Sequence, residues 1–290
     1  MDPKPLIIAH HNCADGFTSV WLANQFFHDP TLARIAEELV VDYHPGVYGE
    51  LPPLDVKDRD VYILDFSYPA EQTKEIAEKA KSVTVIDHHE TAIRKLMDRD
   101  WTFPENTRLI LDTTRSGAYL TSKYFWPDRE PMTMVKLVDD RDRWVFADAR
   151  TRPFHASLFS RPYKIGEWNR LRDNLSAAVN EGVAIERKQA KDIDELLAQT
   201  ARLMKHGEMV LACANMSYMQ ASDAGHKMLE QYPGIDFAAT FFVRKDNRIV
   251  FSLRSRKDGV NVAQIAESFG GGGHANAAGF TRDHIPFLPA

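Results

Sequence analysis

The stretch Val83-Thr84-Val85-Ile86-Asp87-His88-His89-Glu90 does most to limit what this chain can become. Four apolar or β-branched residues bounded by charge read as a buried strand of a parallel sheet, which has no polar face because helices cover both sides. An acid and two histidines then follow at the strand's carboxyl end, the edge at which open α/β sheets bind ligands. Read alone, the triplet fits equally a plain loop in which Asp87 caps a helix beginning near Thr91. The rest of the chain decides between the two.

Similar strands are expected at 6–9, 39–43, 61–64 and 109–111, with helix-like stretches between them. Phe17, Val20, Trp21 and Phe27 share one helical face, as do Ile76 and Ala80 after the start at Pro69, and Ala118, Tyr119, Ser122 and Phe125. Right-handed crossovers then bring all the strand ends to one edge. From 154 to 172 the alternation fades into an aromatic and basic stretch, followed by a long polar helix over about 185–204. After His206-Gly207 a second alternation begins, with strands at 209–214, 237–243 and 248–253 and helices at 223–232 and 260–269. The Asp246-Asn247 turn between two of these strands signals a hairpin, so that sheet is mixed. The expected fold class is α/β: a larger amino-terminal domain (1–150) with a mainly parallel five-stranded sheet flanked by helices, a helical linker (151–206), and a smaller α/β domain (207–290) with a mixed sheet.

With 290 residues, 44% hydrophobic and 27% charged, the chain has apolar material for two cores, and nothing in it suggests disorder. The start, Met1-Asp2-Pro3-Lys4-Pro5, carries an acid where a signal peptide wants positive charge, and the apolar run after it is too short for a membrane span. A cytoplasmic protein is expected. Two cysteines make no disulfide framework, and a formal charge of -5 argues against a long duplex held by phosphate contacts alone.

Several strand ends carry chemistry. The first runs into His10-His11-Asn12-Cys13-Ala14-Asp15-Gly16, where histidine, cysteine and aspartate at alternate positions can point to one centre; that spacing favours His11, with His10 as the alternative. Asp15 as a helix cap and Cys13 as a small buried hydrophobe is the plain reading. The third strand ends in Asp65, and an apolar helix ends in Asp139-Asp140-Arg141-Asp142-Arg143, where one acid could be a ligand and the arginines could neutralise the others. Together His11, Cys13, Asp15, Asp65, His88 and Asp140 stand at successive element ends of one sheet, a set able to hold two cations bridged by a carboxylate. Acids at that density would otherwise raise one another's pKa values.

The last informative stretch is Phe269-Gly270-Gly271-Gly272-Gly273-His274-Ala275-Asn276-Ala277-Ala278-Gly279. Consecutive glycines let backbone approach a ligand closely, and the small residues after His274 are expected to start a helix whose amino end favours an anion. No Gly-Lys-Ser/Thr follows, which excludes a Walker loop, and a flexible linker is the plain alternative. Upstream, Arg254 and Arg256 offer two guanidiniums suited to bidentate phosphate contact.

Asp87-His88-His89, preceded by the His11 to Gly16 stretch and Asp65 and followed by Asp140, resembles the DHH phosphoesterase superfamily. Gly271 to His274 resembles its carboxy-terminal DHH-associated domain, and the motifs stand in family order over nearly the whole chain. The resemblance implies a two-metal centre, usually manganese, and a smaller domain that closes over it and grips substrate. It implies that Asp65 bridges the metals, with His11 and Cys13 on one and Asp15, His88 and Asp140 on the other. His89 would face the phosphate and Asp87 would orient the histidines, these two being the catalytic candidates. Arg254, Gly272, Gly273 and His274 would bind the substrate's phosphate or terminal nucleotide, and Ser116-Gly117-Ala118 looks like a further small-residue motif of the family. Where Cys13 stands the family usually has aspartate; a thiolate is softer, which brings zinc or iron into consideration beside manganese and magnesium.

The function expected is metal-dependent hydrolysis of phosphodiester bonds in short single-stranded RNA or DNA or in small nucleotides, of the nanoRNase or oligoribonuclease kind. No membrane or long duplex partner is expected, and a homodimer is left open. Two alternatives stand beside it: a polyphosphate or pyrophosphate phosphohydrolase, and a catalytically weak nucleotide sensor in which Cys13 marks a degenerate site. A nucleotide enzyme should present an exposed aromatic beside the Gly-rich loop, for which Phe269, Phe280 and Tyr218 are the candidates, whereas a polyphosphatase should present more lysine and arginine.

Overall fold

The computed structural model describes residues 3–28, 38–97 and 102–289, and these form two compact units, Met1–Glu186 and Arg187–Ala290. In the first unit the described strands β1 (Leu6–His10), β2 (Asp42–Gly46), β3 (Asp60–Leu64), β4 (Ser82–Asp87) and β5 (Thr107–Leu111) make one sheet in the order β2-β1-β3-β4-β5. Every pairing in it is parallel, as the apolar strand runs require. The order reverses between β1 and β3, which opens a crevice at their carboxyl ends. The strand expected at 39–43 instead begins at Asp42 and runs to Gly46.

Successive residues of β1 feed opposite faces of the sheet. Ile7 and Ala9, with Leu64 and Ile86, pack under α1 (Ala14–Phe27), α4 (Gly117–Phe125) and α5 (Thr133–Asp142), while Leu6 and Ile8, with Ile63 and Val85, pack against Ile76 of α2 (Ala70–Lys79) and Leu96 of α3 (Glu90–Leu96). The aromatic and basic stretch folds as α6 (Thr151–Phe159) and α7 (Ile165–Asp173), and Phe154, Leu158, Trp168 and Leu171 join the core under α1. The Trp168 indole donates to Thr18 Oγ1 (2.9 Å) and the Trp21 indole to Asn169 Oδ1 (2.9 Å), which fastens α7 to α1. The expected boundaries at 150 and 206 thus fall inside the two units, and the division between them lies within α8 (Leu175–Thr200).

In the second unit the long helix stops at Thr200, and β6 (Arg202–His206) follows where helix was expected to 204. Gly207, at φ +59°, turns the chain directly into β7 (Met209–Asn215), and the two strands pair antiparallel from His206 and Met209 onward. The described sheet has the order β10-β11-β9-β8-β7-β6-β12, with β8 (Phe237–Val243), β9 (Ile249–Arg254), β10 (Gly272–His274), β11 (Ala277–Arg282) and β12 (Leu288–Pro289). Only β7 and β8 are parallel among its described pairings, and Asn247 at φ +62° completes the expected hairpin between β8 and β9. One face packs on α10 (Val262–Ser268), and the other on α9 (Ala221–Gln231) together with Ile193 and Leu197 of α8. Among the described residues no helix is long and apolar enough to cross a membrane.

Two residues test the packing of α6. A Cβ on Gly182 of α8 would lie 1.6 Å from the Pro153 carbonyl oxygen, so Gly182→Ala should lower stability by about 1–3 kcal/mol or more, read as a fall in chemical-denaturation midpoint. His155 is buried, and burial followed by the nearby Arg141 charge pushes its pKa down to about 3. Its folded pKa lies below its unfolded value of 6.5, so the unfolded chain binds the extra proton as pH falls between them. The stability of the wild-type chain relative to His155→Leu should therefore be constant above about pH 7 and shrink by about 1.4 kcal/mol per unit below 6.5.

Candidate metal centre

The register of the first sheet sets the site. Ala9 of β1 pairs with Leu64 of β3, and Leu64 with Ile86 of β4, so the next residues, His10, Asp65 and Asp87, stand in one row at the strand ends. Asp65 is fully buried at φ +52°, a left-handed backbone that costs a non-glycine residue strain and turns its carboxylate back over the strand ends. His10 Nδ1 stands 3.7 Å from Asp65 Oδ2, and His88 Nε2 stands 3.0 Å from Asp65 Oδ1. Three groups of donor atoms, each within 4.8 Å of one another, share this carboxylate: His10, Cys13 and Asp65; Asp15, Asp65 and His88; and Asp65, Asp87 and His89. Asp142 Oδ2 lies 3.6 Å from His88 Nε2, beside the second group.

Of the expected ligands, Cys13, Asp15, Asp65 and His88 are brought together and His11 and Asp140 are not. His11 is exposed on the turn after β1, and His10 takes the place beside Asp65. Asp140 is spent on the loop that follows α5: Oδ1 accepts from the Ala147 amide (2.8 Å), and Oδ2 from the Asp148 amide (3.2 Å) and the Thr151 hydroxyl. Asp142, the last residue of α5, is the acid of that run which reaches the site. Asp139 has a third task, accepting from the Ser116 amide (2.8 Å) and from Arg115 (3.0 Å) and Arg143 (3.3 Å).

The amino end of α4 supports both carboxylates. The Ala118 amide donates to Asp15 Oδ1 (3.0 Å), and Gly117 leaves no space for a side chain, since a Cβ there would stand 2.5 Å from that of Asp65. Asp87 does not cap α3. Its Oδ1 lies at hydrogen-bonding distance from the His88 amide (2.8 Å), the His89 amide (3.2 Å) and His89 Nδ1 (2.8 Å), and Ser67 donates to its other oxygen. It thus holds the His89 ring and the backbone amide of His88.

The electrostatics are those of an anion cluster. Burial, then Asp65 and Asp142, hold the Asp15 carboxyl well above the usual range, and desolvation by the surrounding groups raises Asp142, whose side chain is only partly covered. Burial would raise Asp65 too, but the imidazoles of His10 and His88 and the His89 charge hold it well below. His88 is pushed up to about 11, against its burial, by Asp142, Asp65 and Asp15. Burial, followed by the charges of Asp65, Asp142 and Asp15, keeps the Cys13 thiol protonated. Asp15 Oδ2 and both Asp65 oxygens are buried yet accept no hydrogen bond from a described residue. Carboxylate, imidazole and sulfur donors with unsatisfied buried oxygens fit divalent cations, which would remove the repulsion.

In the second unit the Gly-rich stretch is a hairpin, not a helix start. β10 and β11 pair Gly272 with Gly279 and His274 with Ala277; Gly273 sits at φ +143°, and a Cβ on Gly271 would meet the Gly279 oxygen at 2.0 Å. Arg254 ends β9, with its guanidinium donating to Ser222 Oγ (2.6 Å). Arg256 is taken up by the carbonyls of Ile235, Leu229 and Tyr232 at the end of α9 (2.6, 2.7 and 3.2 Å), so one of the two expected guanidiniums is structural. Phe280 is buried against Phe251 and Phe269, while Tyr218 is exposed beside Phe242.

Residues 215–285 match the DHHA1 domain. Over 293 residues the chain is 26% identical to the uncharacterized protein R106 of Acanthamoeba polyphaga mimivirus, covering 96% of this chain and 67% of that one. Among solved structures, the DHH domain of a protein assigned to a family of ribosomal proteins superposes with a TM-score of 0.59 at 13% identity, covering 98% of this chain and 83% of that one. RecJ from Thermus thermophilus, solved with Mn2+, gives 0.51 at 16% identity and covers 97% and 50%. The chain is thus an α/β protein whose fold is similar to that of the DHH domain in the first of these structures. Asp87-His88-His89 closes β4 in the first unit, and the DHHA1 match lies in the second.

Paired substitutions separate ligands from neighbours. His10→Ala and Asp142→Asn should weaken manganese binding by calorimetry, on the order of ten-fold or more, whereas His11→Ala should leave it unchanged and Asp140→Asn should act on the melting temperature. Gly117→Ala should weaken manganese binding about 10–100-fold by displacing Asp65 without removing a donor.

Proposed function

We propose that this chain is a metal-dependent phosphoesterase that hydrolyses phosphodiester bonds of short oligonucleotides or small nucleotides. The observation that carries the reading is the Asp65 carboxylate, common to the His10–Cys13 and Asp15–His88 donor sets at the switch point of the sheet. One cation would be held by His10, Cys13 and Asp65, and the other by Asp15, Asp65, His88 and Asp142. Divalent cations supply Lewis acidity there, activating water and neutralising the phosphoryl oxygens. The protein's own part is positional. Asp87 holds His89 toward the same space, where its imidazolium can stabilise charge that develops on the phosphoryl group or leaving oxygen. Asp87, with the charge of Asp65 behind it, keeps His89 protonated more readily than a free histidine despite its burial. In the second unit Arg254, Gly272, Gly273 and His274 serve as contacts for phosphate or a terminal nucleotide. RecJ, which shares the fold and was solved with manganese, supports this choice of metal.

The test is release of mononucleotides from end-labelled RNAs of two to five residues by the purified chain with manganese. Release should be abolished by chelator and by Asp65→Ala, and should fall off with substrate length. Absence of release, with hydrolysis of polyphosphate or pyrophosphate instead, would assign the site to phosphoanhydrides. Cys13→Asp tests the sensor alternative: loss of existing activity shows that the sulfur is used, and a gain from a near-inactive wild type shows a degenerate site.

A further inference from the structure

Beside the candidate centre, one loop of the first unit carries a side chain that neither the cations nor the fold requires. Tyr48 follows β2 and is 46% exposed, although its ring lies 5.4 Å from that of His10 and 5.9 Å from that of His89. The other strongly exposed aromatics of this unit, Phe26 and Phe159, pack against Phe125 and Trp126 or His155 and Arg141. Among the described residues, Tyr48 is the exposed aromatic within 6 Å of two site imidazoles.

Its position is built. The Glu50 amide donates to the Val47 carbonyl (3.1 Å), and Gly49 sits at φ +89°, the backbone that a type II turn needs at its third residue; Tyr48 is the second. Phe66, 1% exposed, braces the ring at 4.6 Å, and Gly46 leaves room for it, since a Cβ there would stand 3.0 Å from the Phe66 ring. The loop from 47 to 55 reads Val-Tyr-Gly-Glu-Leu-Pro-Pro-Leu-Asp: two acids, no lysine or arginine, and Leu51 and Leu54 exposed at 79% and 95%. Asp55 is paired with Arg59 (2.7 Å), so the loop offers no cation of its own to a phosphate beside Tyr48, and its exposed face suits a flat, uncharged ring. Stacking on an aromatic side chain suits any base, because every base has a π-face.

We propose that Tyr48 is a nucleobase platform: its ring stacks on the base attached to the scissile phosphate and fixes that nucleotide over the centre. The inference rests on the phosphodiesterase reading above and narrows its substrate to one with a base beside the cleaved bond. It places a binding determinant in the first unit, on a loop with no metal ligand.

The test compares an RNA dinucleotide with the same molecule made abasic at the cleaved position, using the full-length chain with manganese. Tyr48→Leu should raise KM for the dinucleotide about ten-fold with kcat little changed, and Tyr48→Phe should keep the wild-type KM to within about two-fold. The abasic substrate should have a raised KM with the wild type and show no further rise with Tyr48→Leu. Equal effects of Tyr48→Leu on both substrates, or none on either, would overturn the platform, the first result marking Tyr48 as a brace for His10 alone. Hydrolysis of neither substrate by the wild type would overturn the phosphodiesterase reading itself, and the platform with it.

Discussion

The structure of the first unit depends on one carboxylate. Asp65 is buried, held in a left-handed backbone, and pressed from the side by Gly117, with imidazoles at 3.0 and 3.7 Å and oxygens that accept no hydrogen bond from a described residue. A buried ion is expensive unless opposite charge meets it, and three further acids, Asp15, Asp87 and Asp142, lie close by. Histidine protonation answers part of this, as the upward displacement of His88 and His89 shows. The His88 proton and a cation compete for the same nitrogen, because a histidine must be neutral to be a ligand.

The sheet supplies the alignment and α4 and α5 supply the restraint. Three acids at the end of α5 divide the work by direction: Asp139 is aimed at the α4 amino end, Asp140 at the next loop, and Asp142, one step beyond Arg141, at the site. The amino end of α4 returns the restraint by gripping Asp15 through the Ala118 amide. Small residues at 116–118 are thus needed for closeness to Asp65 and for amides that reach Asp15 and Asp139.

Most of the architecture is legible in the sequence, because buried parallel strands are continuous apolar runs and their ends carry the acids. Asp65, Asp87 and His88 are found in this way. The choice of His11 over His10 fails for a local reason: counting by twos assumes extended backbone, and Asn12 at φ +52° breaks the count between the strand and Cys13. Asp140 and Asp142 look alike in sequence, since their difference lies in where helix α5 ends. β6 is hidden because Leu203-Met204-Lys205 continues a helical pattern as well as it begins an alternating one. The glycine run is ambiguous by nature, for the freedom that lets backbone approach a ligand also lets it approach β11, and Gly271 and Gly273 are needed there. Tyr48 gives no periodic signal, being a turn residue.

The Ala118 to Asp15 hydrogen bond joins residues 103 positions apart, and the Asp139 to Ser116 bond closes a further loop across the same helix end. Contacts of such separation form late, after the chain entropy of the intervening segments has been lost. A chain folded only in part therefore offers scattered acids and histidines and no shared carboxylate. Any cation that binds the finished set binds the native state almost alone, so its free concentration sets the lifetime of the folded first unit against unfolding and proteolysis.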